Sequence, residues 1–300
     1  LFFHRCSVPQ QLPCGHEYCK SCVEELRQKG VDKSCPLCRK PLPPGPDQLF
    51  DLGLGMYAKI GGEIHRNRPK SEELNPWPAL SDEQQGEMDQ ARAMLREAAD
   101  QGHMLAQAHV GDMYAFGWGV AKDEHLAFVY TKKAAQQGWA KCQHNTGINY
   151  RDGLGCEQSY ELAFEWYEKA ARQGRSDAQC ALGQCYELAR GVPQSYERAV
   201  ALYKQSAAQG DMIGQFNLGL CYEDGKGVPQ NYQEARRLFK LASAQGNDQA
   251  SKALMRVEEL IRNDPTQALT RPAANKKPKP NAPCSCGSGK KYKKCCGSNK

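Results

Sequence analysis

The sequence has 300 residues, of which 40% are hydrophobic and 25% charged, and its formal net charge is +6. This length allows two or three modest domains. Fifteen cysteines fall into separate groups within 6–38, 142–221 and 284–296, whereas a disulfide-stapled secreted domain would be shorter and would spread its cysteines through the whole fold. No apolar run approaches the ~20 residues of a membrane span and no secretory signal is visible, so we expect a reducing compartment, cytoplasmic or nuclear.

Residues 1–40 carry a metal-binding pattern. A Cys-Gly-His-x-x-Cys-x-x-Cys run precedes a Cys-Pro-Leu-Cys pair by twelve residues, and the six spaced residues are Cys14, His16, Cys19, Cys22, Cys35 and Cys38. A two-residue gap lets both thiolates of a Cys-x-x-Cys pair reach one tetrahedral Zn²⁺. A redox-active Cys-x-x-Cys would open a helix in a thioredoxin-like context, which this sequence lacks. The spacing therefore indicates zinc.

The strings LPCGHEYCKSC and CPLCR resemble a RING finger, in which eight ligands bind two zinc ions in a cross-brace. The resemblance implies that one zinc site is complete, and its ligands are Cys14, His16, Cys35 and Cys38. Cys19 and Cys22 supply half of the other site. Because the sequence begins at Leu1 and Cys6 stands alone, we expect the remaining Cys-x-x-Cys to lie upstream; a site improvised from His4 and Cys6 is the alternative.

The RING resemblance also implies a function. Such domains bind a ubiquitin-conjugating enzyme and hold its ubiquitin thioester in a reactive pose. By position, Leu26 and Pro36 would line the apolar groove for that enzyme. Arg39, which follows the last ligand, would act as the linchpin that donates hydrogen bonds to ubiquitin and to the conjugating enzyme. The alternative for Arg39 is an ordinary solvated cation.

Residues 41–80 contain seven prolines and few periodic apolar positions, which favours a linker. Within it, Gly53-Leu-Gly-Met-Tyr-Ala58 has the glycine spacing of a dinucleotide-binding turn. The proline-broken segment that follows leaves no room for the second strand of that fold, so we assign no nucleotide site.

Residues 81–263 are repetitive and helical. Glycine, tyrosine and alanine recur every 36 residues in one register: Gly102, Gly138, Gly174, Gly210 and Gly246; Gly111, Gly147, Gly183 and Gly219; Tyr114, Tyr150, Tyr186 and Tyr222; Ala91, Ala127, Ala163, Ala199 and Ala235. The first glycine series suits left-handed helix ends, and the Gly-x-Gly-Val segments suit tight turns between two helices. Ala189 stands where a turn glycine is expected, so we predict an altered or strained turn there. The five cysteines of this region are predicted to be small packing residues.

These units resemble Sel-like repeats, which are related to tetratricopeptide repeats. We count four full units, about 104–139, 140–175, 176–211 and 212–247, between an entering helix after Ser81 and a closing helix that ends at Ile261. The resemblance implies an α-solenoid whose concave face binds another protein. The predicted fold class is therefore mainly α, an α-solenoid of 36-residue helix-turn-helix repeats flanked by small zinc-binding modules.

Residues 264–282 are rich in proline and lysine and predict a flexible tether. Residues 283–297 resemble a SEC-C motif, which implies one zinc site and a protein-docking role; its ligands would be Cys284, Cys286, Cys295 and Cys296. A disordered tail with a disulfide between adjacent cysteines is the alternative. Thr266–Lys300 holds nine lysines and arginines and no acid, which leaves a net charge of −3 for the rest. The overall basic charge thus does not indicate a nucleic-acid-binding domain.

Two functions fit these patterns. The leading hypothesis is a RING-type ubiquitin ligase whose solenoid recruits a substrate or adaptor protein, with the SEC-C module as a second docking point. The alternative is a non-catalytic scaffold in which the zinc modules only stabilise or dock. The sequence of a repeat reports the fold of a binding surface and little about its ligand, so the substrate is not predicted.

Overall fold

The structure is a computed structural model that describes the backbone of residues 9–11, 17–19, 44–67 and 81–263 and the side chains of residues 44–60 and 81–263. Within these residues the chain is mainly α, with two short strands. They contain no helix that combines the length and the apolar character of a membrane span. The zinc-binding modules lie at the ends of the chain, and their predicted ligand side chains are outside the described residues.

The described residues form two strands and eleven helices: β1 (Pro9–Gln11), β2 (Glu17–Cys19), α1 (Pro46–Asn67), α2 (Asp82–Asp100), α3 (Met104–Phe116), α4 (Glu124–Gln136), α5 (Ala140–Asp152), α6 (Tyr160–Arg172), α7 (Ser176–Leu188), α8 (Tyr196–Ala208), α9 (Met212–Asp224), α10 (Tyr232–Ala244) and α11 (Asp248–Asn263). The strands pair antiparallel, with Pro9 opposite Cys19. The chain divides after residue 170 into two compact parts, each of which contains several helices. From α3 to α10 every helix has 13 residues, so each 36-residue unit contains a first helix, a turn and a second helix.

Helix ends follow the signals in the sequence. Ser81 caps α2 in a capping box, since its hydroxyl accepts from the backbone of Gln84 while the Gln84 side chain accepts from the backbone of Ser81. Ser195 and Asn231 cap α8 and α10 through their side-chain oxygens. The left-handed conformation predicted for the first glycine series is confirmed, with φ between 85° and 100° from Gly102 to Gly246.

The two helices of a repeat pack very closely at one glycine. In three repeats this glycine of the first helix lies under an aromatic ring of the second helix. A Cβ at the glycine would stand 2.5–2.6 Å from that ring. The pairs are Gly147 with Tyr167, Gly183 with Tyr203, and Gly219 with Phe239. The rings themselves are almost fully buried. The second glycine series is therefore a close-approach position, where any larger residue would push the helices apart.

The turn between the two helices keeps its conformation even without glycine. Gly117, Gly153 and Gly225 end their helices in the left-handed region, with φ from 69° to 71°. Ala189 takes the same place with φ 55° and ψ 39°, and among the described residues it is the one non-glycine with positive φ. The prediction of strain at this turn is confirmed in this form, because the Cβ of an L-residue clashes with its own backbone there.

The interpretation of residues 41–80 as a linker is wrong for residues 46–67, which form α1. Proline is well placed at the first position of a helix, and Asp47 follows in the first turn. Leu49, Phe50 and Ile60 are buried. Gly53 lies against Leu95 and the backbone of Ala91 in α2, so it packs like the close-approach glycines of the repeats. Packing against α2 thus overrides the poor helix propensity of a glycine-rich segment.

Between α8 and α9, a serine replaces a small apolar residue. Ser206 is fully buried, and its hydroxyl has no hydrogen-bond partner within the described part of the chain. Its neighbour is Gly214, where a Cβ would clash with the Ser206 Oγ atom. Other repeats have alanine pairs in this register, Ala98 with Ala106 and Ala242 with Ala250, all fully buried. The larger side chain of Ser206 is therefore accommodated because Gly214 has no side chain.

We expect Ala189→Gly to raise the free energy of unfolding by about 1 kcal/mol, because glycine adopts the left-handed region without the Cβ penalty. Ala201→Gly, at an exposed position inside α8, is the matched control. It should lower stability by about 1 kcal/mol. Urea unfolding followed by circular dichroism measures both. Equal destabilisation by the two changes would contradict the strain at Ala189.

Gly214→Ala alone should destabilise the protein by about 1–3 kcal/mol, since the new methyl group has no room beside Ser206. In a Ser206→Ala background the same change should cost less, because the clash with the Ser206 Oγ atom is gone and the pair then matches the alanine pairs of other repeats. A double-mutant cycle in urea measures this coupling. Additive effects of the two substitutions would show that the residues do not compensate each other.

Candidate protein-interaction surface

Glutamine side chains tie successive repeats together. Gln137 Nε2 donates to the carbonyl of Gly102 at 2.9 Å and to Gln107 Oε1 at 2.8 Å. Gln245 repeats both contacts three repeats later, with the carbonyl of Gly210 at 3.1 Å and Gln215 Oε1 at 2.9 Å. Gln107 and Gln137 lie in one repeat and Gly102 lies just before it, so the bond to the glycine carbonyl fixes the spacing between repeats. The surface that these units carry is thus held on a rigid frame.

On the surface, cations of second helices contact tyrosines of the following first helices. Arg96 Nη2 donates to Tyr114 Oη at 3.2 Å, and Lys132 Nζ donates to Tyr150 Oη at 2.8 Å. Tyr114 also stacks on Tyr130 with ring centroids 6.2 Å apart. Both tyrosines belong to the series that recurs every 36 residues in the sequence. The structure adds that their hydroxyl groups bind cations at the solvent edge.

A pocket of about 200 Å³ lies between α2 and α3, and we call it the α2–α3 pocket. Val110, Met113 and Val120 give it an apolar floor, while Arg92 and Arg96 lie on its α2 side. This volume suits one large side chain. The pocket therefore combines an apolar cavity with two cations, which is a common makeup of sites that bind one residue of a partner.

Every predicted zinc ligand and conjugating-enzyme contact lies where the structure describes no side chain. One piece of backbone bears on them: β1 and β2 pair across the segment that contains Cys14 and His16, and β2 ends at Cys19. The roles of these residues, and those of Leu26, Pro36, Arg39 and the four C-terminal cysteines, remain predictions. Within the described residues, no group of His, Cys, Asp or Glu could hold a metal ion.

Comparison with known families gives three matches along the chain. The Sel1 repeat profile matches residues 85–103, 105–139, 140–174, 176–211 and 213–247, which together are more than half of the sequence. The chain belongs to the Sel1 repeat family. A C3HC4-type zinc finger (RING finger) profile matches residues 3–38, and a SEC-C motif profile matches residues 281–298. The Sel1 repeats imply protein–protein interaction, and the chain as a whole has the makeup of a zinc-binding interaction scaffold.

The fold is similar to that of one solved Sel1 repeat protein. A Sel1 repeat protein from Oxalobacter formigenes is 25% identical, with a TM-score of 0.54, over 69% of this chain and 86% of that protein. The protective antigen c5321 of uropathogenic Escherichia coli, which displays an SLR fold, is also 25% identical, with a TM-score of 0.46, over 82% of this chain and 54% of that protein. A comparison with curated proteins gives no match.

Two features of the Sel1 array were not predicted from the sequence. The buried glutamines follow the same 36-residue period as the glycines, at Gln107, Gln143, Gln179 and Gln215. This 36-residue spacing is the signal by which the sequence could have identified them. The α2–α3 pocket had no such signal, because it needs Arg92 and Arg96 of one helix to meet apolar residues of the next.

The cysteines of the Sel1 array are free thiols, and four of the five are buried. Burial raises the pKa of Cys180 and of Cys221 to about 12. These thiols therefore act as packing residues, as predicted. Cys156 differs, since it is half-buried in a turn, where its Sγ donates to the carbonyl of Asn149 at 3.5 Å.

We expect iodoacetamide at pH 8 to alkylate Cys156 in the native protein while Cys180 and Cys221 stay protected. The reason is that the reagent attacks the thiolate, which is rare in a buried group with a pKa of about 12. Site-resolved mass spectrometry of tryptic peptides measures the three rates, with the urea-unfolded protein as control. Similar rates in the native protein would contradict the packing role.

Proposed function

We propose that this protein is a RING-type ubiquitin ligase. Its zinc finger binds a ubiquitin-conjugating enzyme, and its Sel1 repeats bind a substrate or adaptor protein. The observation that carries the proposal is the presence in one chain of a RING-finger match over residues 3–38 and of a Sel1 array that begins at residue 85. A catalytic module that lacks a nucleophile needs such a second module to select what is modified.

In this proposal zinc has a structural role. A module of ~40 residues buries too little apolar surface to fold alone, and a structural zinc site contributes an apparent ~10–16 kcal/mol. Cys14, His16, Cys35 and Cys38 form a complete set of four soft donors, which suits tetrahedral Zn²⁺. These residues would fix the backbone around Pro36 and Arg39.

Leu26, Pro36 and Arg39 would then do the work at the conjugating enzyme. Leu26 and Pro36 are apolar and suit a shallow hydrophobic contact. Arg39 carries five N–H donors in a planar fork, so one side chain can bond carbonyl groups of two proteins at once. Holding ubiquitin against its conjugating enzyme in this way reduces the motion of the thioester, which favours attack by a lysine.

The SEC-C module would supply a second docking point. Cys284, Cys286, Cys295 and Cys296 provide four thiolates for one zinc ion, and four lysines between the second and third cysteines offset their negative charge. With the complete RING site, this chain is expected to bind about two zinc ions. The proposal places both modules in a reducing compartment, the cytoplasm or the nucleus, where thiolates remain available to zinc.

We expect Arg39→Ala to reduce auto-ubiquitination by about tenfold or more, because the loss of charge-assisted hydrogen bonds weakens the hold on ubiquitin. Lys40→Ala removes the adjacent cation and is the matched control, with activity expected to stay near that of the unchanged chain. The assay uses a panel of conjugating enzymes and follows polyubiquitin by immunoblot.

Zinc content, measured on the same samples by atomic absorption, separates lost function from lost folding. Both variants should retain the zinc of the unchanged protein. A zinc-loaded full-length protein that is inactive with every conjugating enzyme would overturn the ligase proposal and favour the non-catalytic scaffold. Equal losses for Arg39→Ala and Lys40→Ala would overturn the linchpin role alone.

A further inference from the structure

The α2–α3 pocket contains a cation at a position where other repeats have apolar side chains. Phe128, Phe164 and Val200 follow Arg92 at intervals of 36 residues, and arginine returns in the last repeat as the exposed Arg236. The Arg92 side chain is only 17% exposed. A partly buried guanidinium loses hydration that an apolar side chain would not need, so packing alone does not account for it.

The surroundings of Arg92 are shaped to admit its guanidinium. Asp89, one turn earlier on α2, forms an ion pair with it. On the other side its Nη1 passes over Gly119, where a Cβ would stand 2.7 Å away. The Asp89 side chain is 56% exposed, so this carboxylate lies at the open side of the pocket. The pocket thus already holds one carboxylate against a cation near its apolar floor.

The second cation is held from the opposite wall. Arg96 is exposed and donates to Tyr114 Oη, and Tyr114 is itself held against the ring of Tyr130, whose hydroxyl donates to Asp100 at 2.9 Å. A guanidinium has five N–H donors, and the tyrosine contact uses one of them. Arg96 therefore reaches the pocket in a defined direction and retains donors for a carboxylate.

We propose that the α2–α3 pocket binds a partner segment in which a large aliphatic or aromatic side chain lies next to an aspartate or glutamate. The apolar side chain packs on Val110, Met113 and Val120, and the carboxylate accepts hydrogen bonds from Arg92 and Arg96. This inference deepens the proposed function and rests on it for its biological meaning, because it names the chemistry by which the repeats would select a substrate or adaptor.

Neither part of the ligand suffices alone. A pocket of about 200 Å³ buries a single side chain, whose transfer from water alone supports only weak binding. A solvent-exposed carboxylate contact alone contributes even less to binding. When the apolar side chain covers the site, water is displaced from the guanidinium groups and the charged contact strengthens. Adjacent apolar and acidic residues are therefore the recognised pair.

The first experiment selects a random dodecapeptide display library on the immobilised full chain. Selected peptides should share an apolar residue beside an acidic one. The best of them, labelled with fluorescein, is then titrated with the full chain and its binding is followed by anisotropy. Changing its acidic residue to the matching amide should weaken binding about tenfold. Selection of peptides without the acidic residue, or equal binding of acid and amide, would overturn the proposal.

Variants of the protein locate the site. Arg96→Ala should weaken binding of the selected peptide about tenfold. Ala93→Glu, an exposed pocket-lining position that tolerates a good helix former, should weaken it further by repulsion. Lys132→Ala is the matched control, since Lys132 occupies the register of Arg96 one repeat later and also donates to a tyrosine. If Lys132→Ala weakens binding as much as Arg96→Ala does, the pocket is not the site.

This test is independent of ligase activity. Peptide binding is measured without a conjugating enzyme, and auto-ubiquitination is measured without peptide. If the acidic peptide binds but the full-length protein fails with every conjugating enzyme, the docking site stands and the ligase proposal fails. If auto-ubiquitination proceeds while Arg96→Ala and Ala93→Glu leave peptide binding unchanged, the docking site fails and the ligase proposal stands.

Discussion

The repeats depend on the contact between one glycine and one ring. Gly147 lies under Tyr167 and Gly183 under Tyr203, with space for a hydrogen atom and none for a methyl group. This contact sets the distance between the two helices of a pair, and that distance determines which residues of the next pair can meet them. The glutamine bonds and the left-handed turns then fix the spacing from one unit to the next.

Because the frame is fixed by a few residues of each unit, the rest of the surface is free to vary. Arg92 and Phe128 occupy the same register, one beside a pocket and one in the core. The frame tolerates this exchange since neither residue contributes to the close glycine contact. Variation of this kind lets repeats with one common fold carry a binding site at a single place, which is how solenoids acquire binding specificity.

The period in the sequence predicts most of the helical array, because glycine at a left-handed turn and glycine at a close approach are both physically required. It fails for α1, where Gly53 and Gly55 weaken the local helix signal and packing on α2 supplies the missing stability. The α2–α3 pocket was also beyond reach, since Arg96 and Val110 meet only after two helices pack. The zinc ligands are local in sequence, and their spacing alone predicts them.

Residues 46–67 form a helix, although the sequence indicated a linker there. This helix limits the distance between the zinc finger and the Sel1 repeats. Eight bonds between α-carbons join Cys38 to Pro46, and they span at most about 30 Å. A partner held near α2 and α3 would thus meet the zinc finger at an effective concentration in the millimolar range. Under the ligase proposal, reach along this tether would decide which lysines of a bound protein receive ubiquitin.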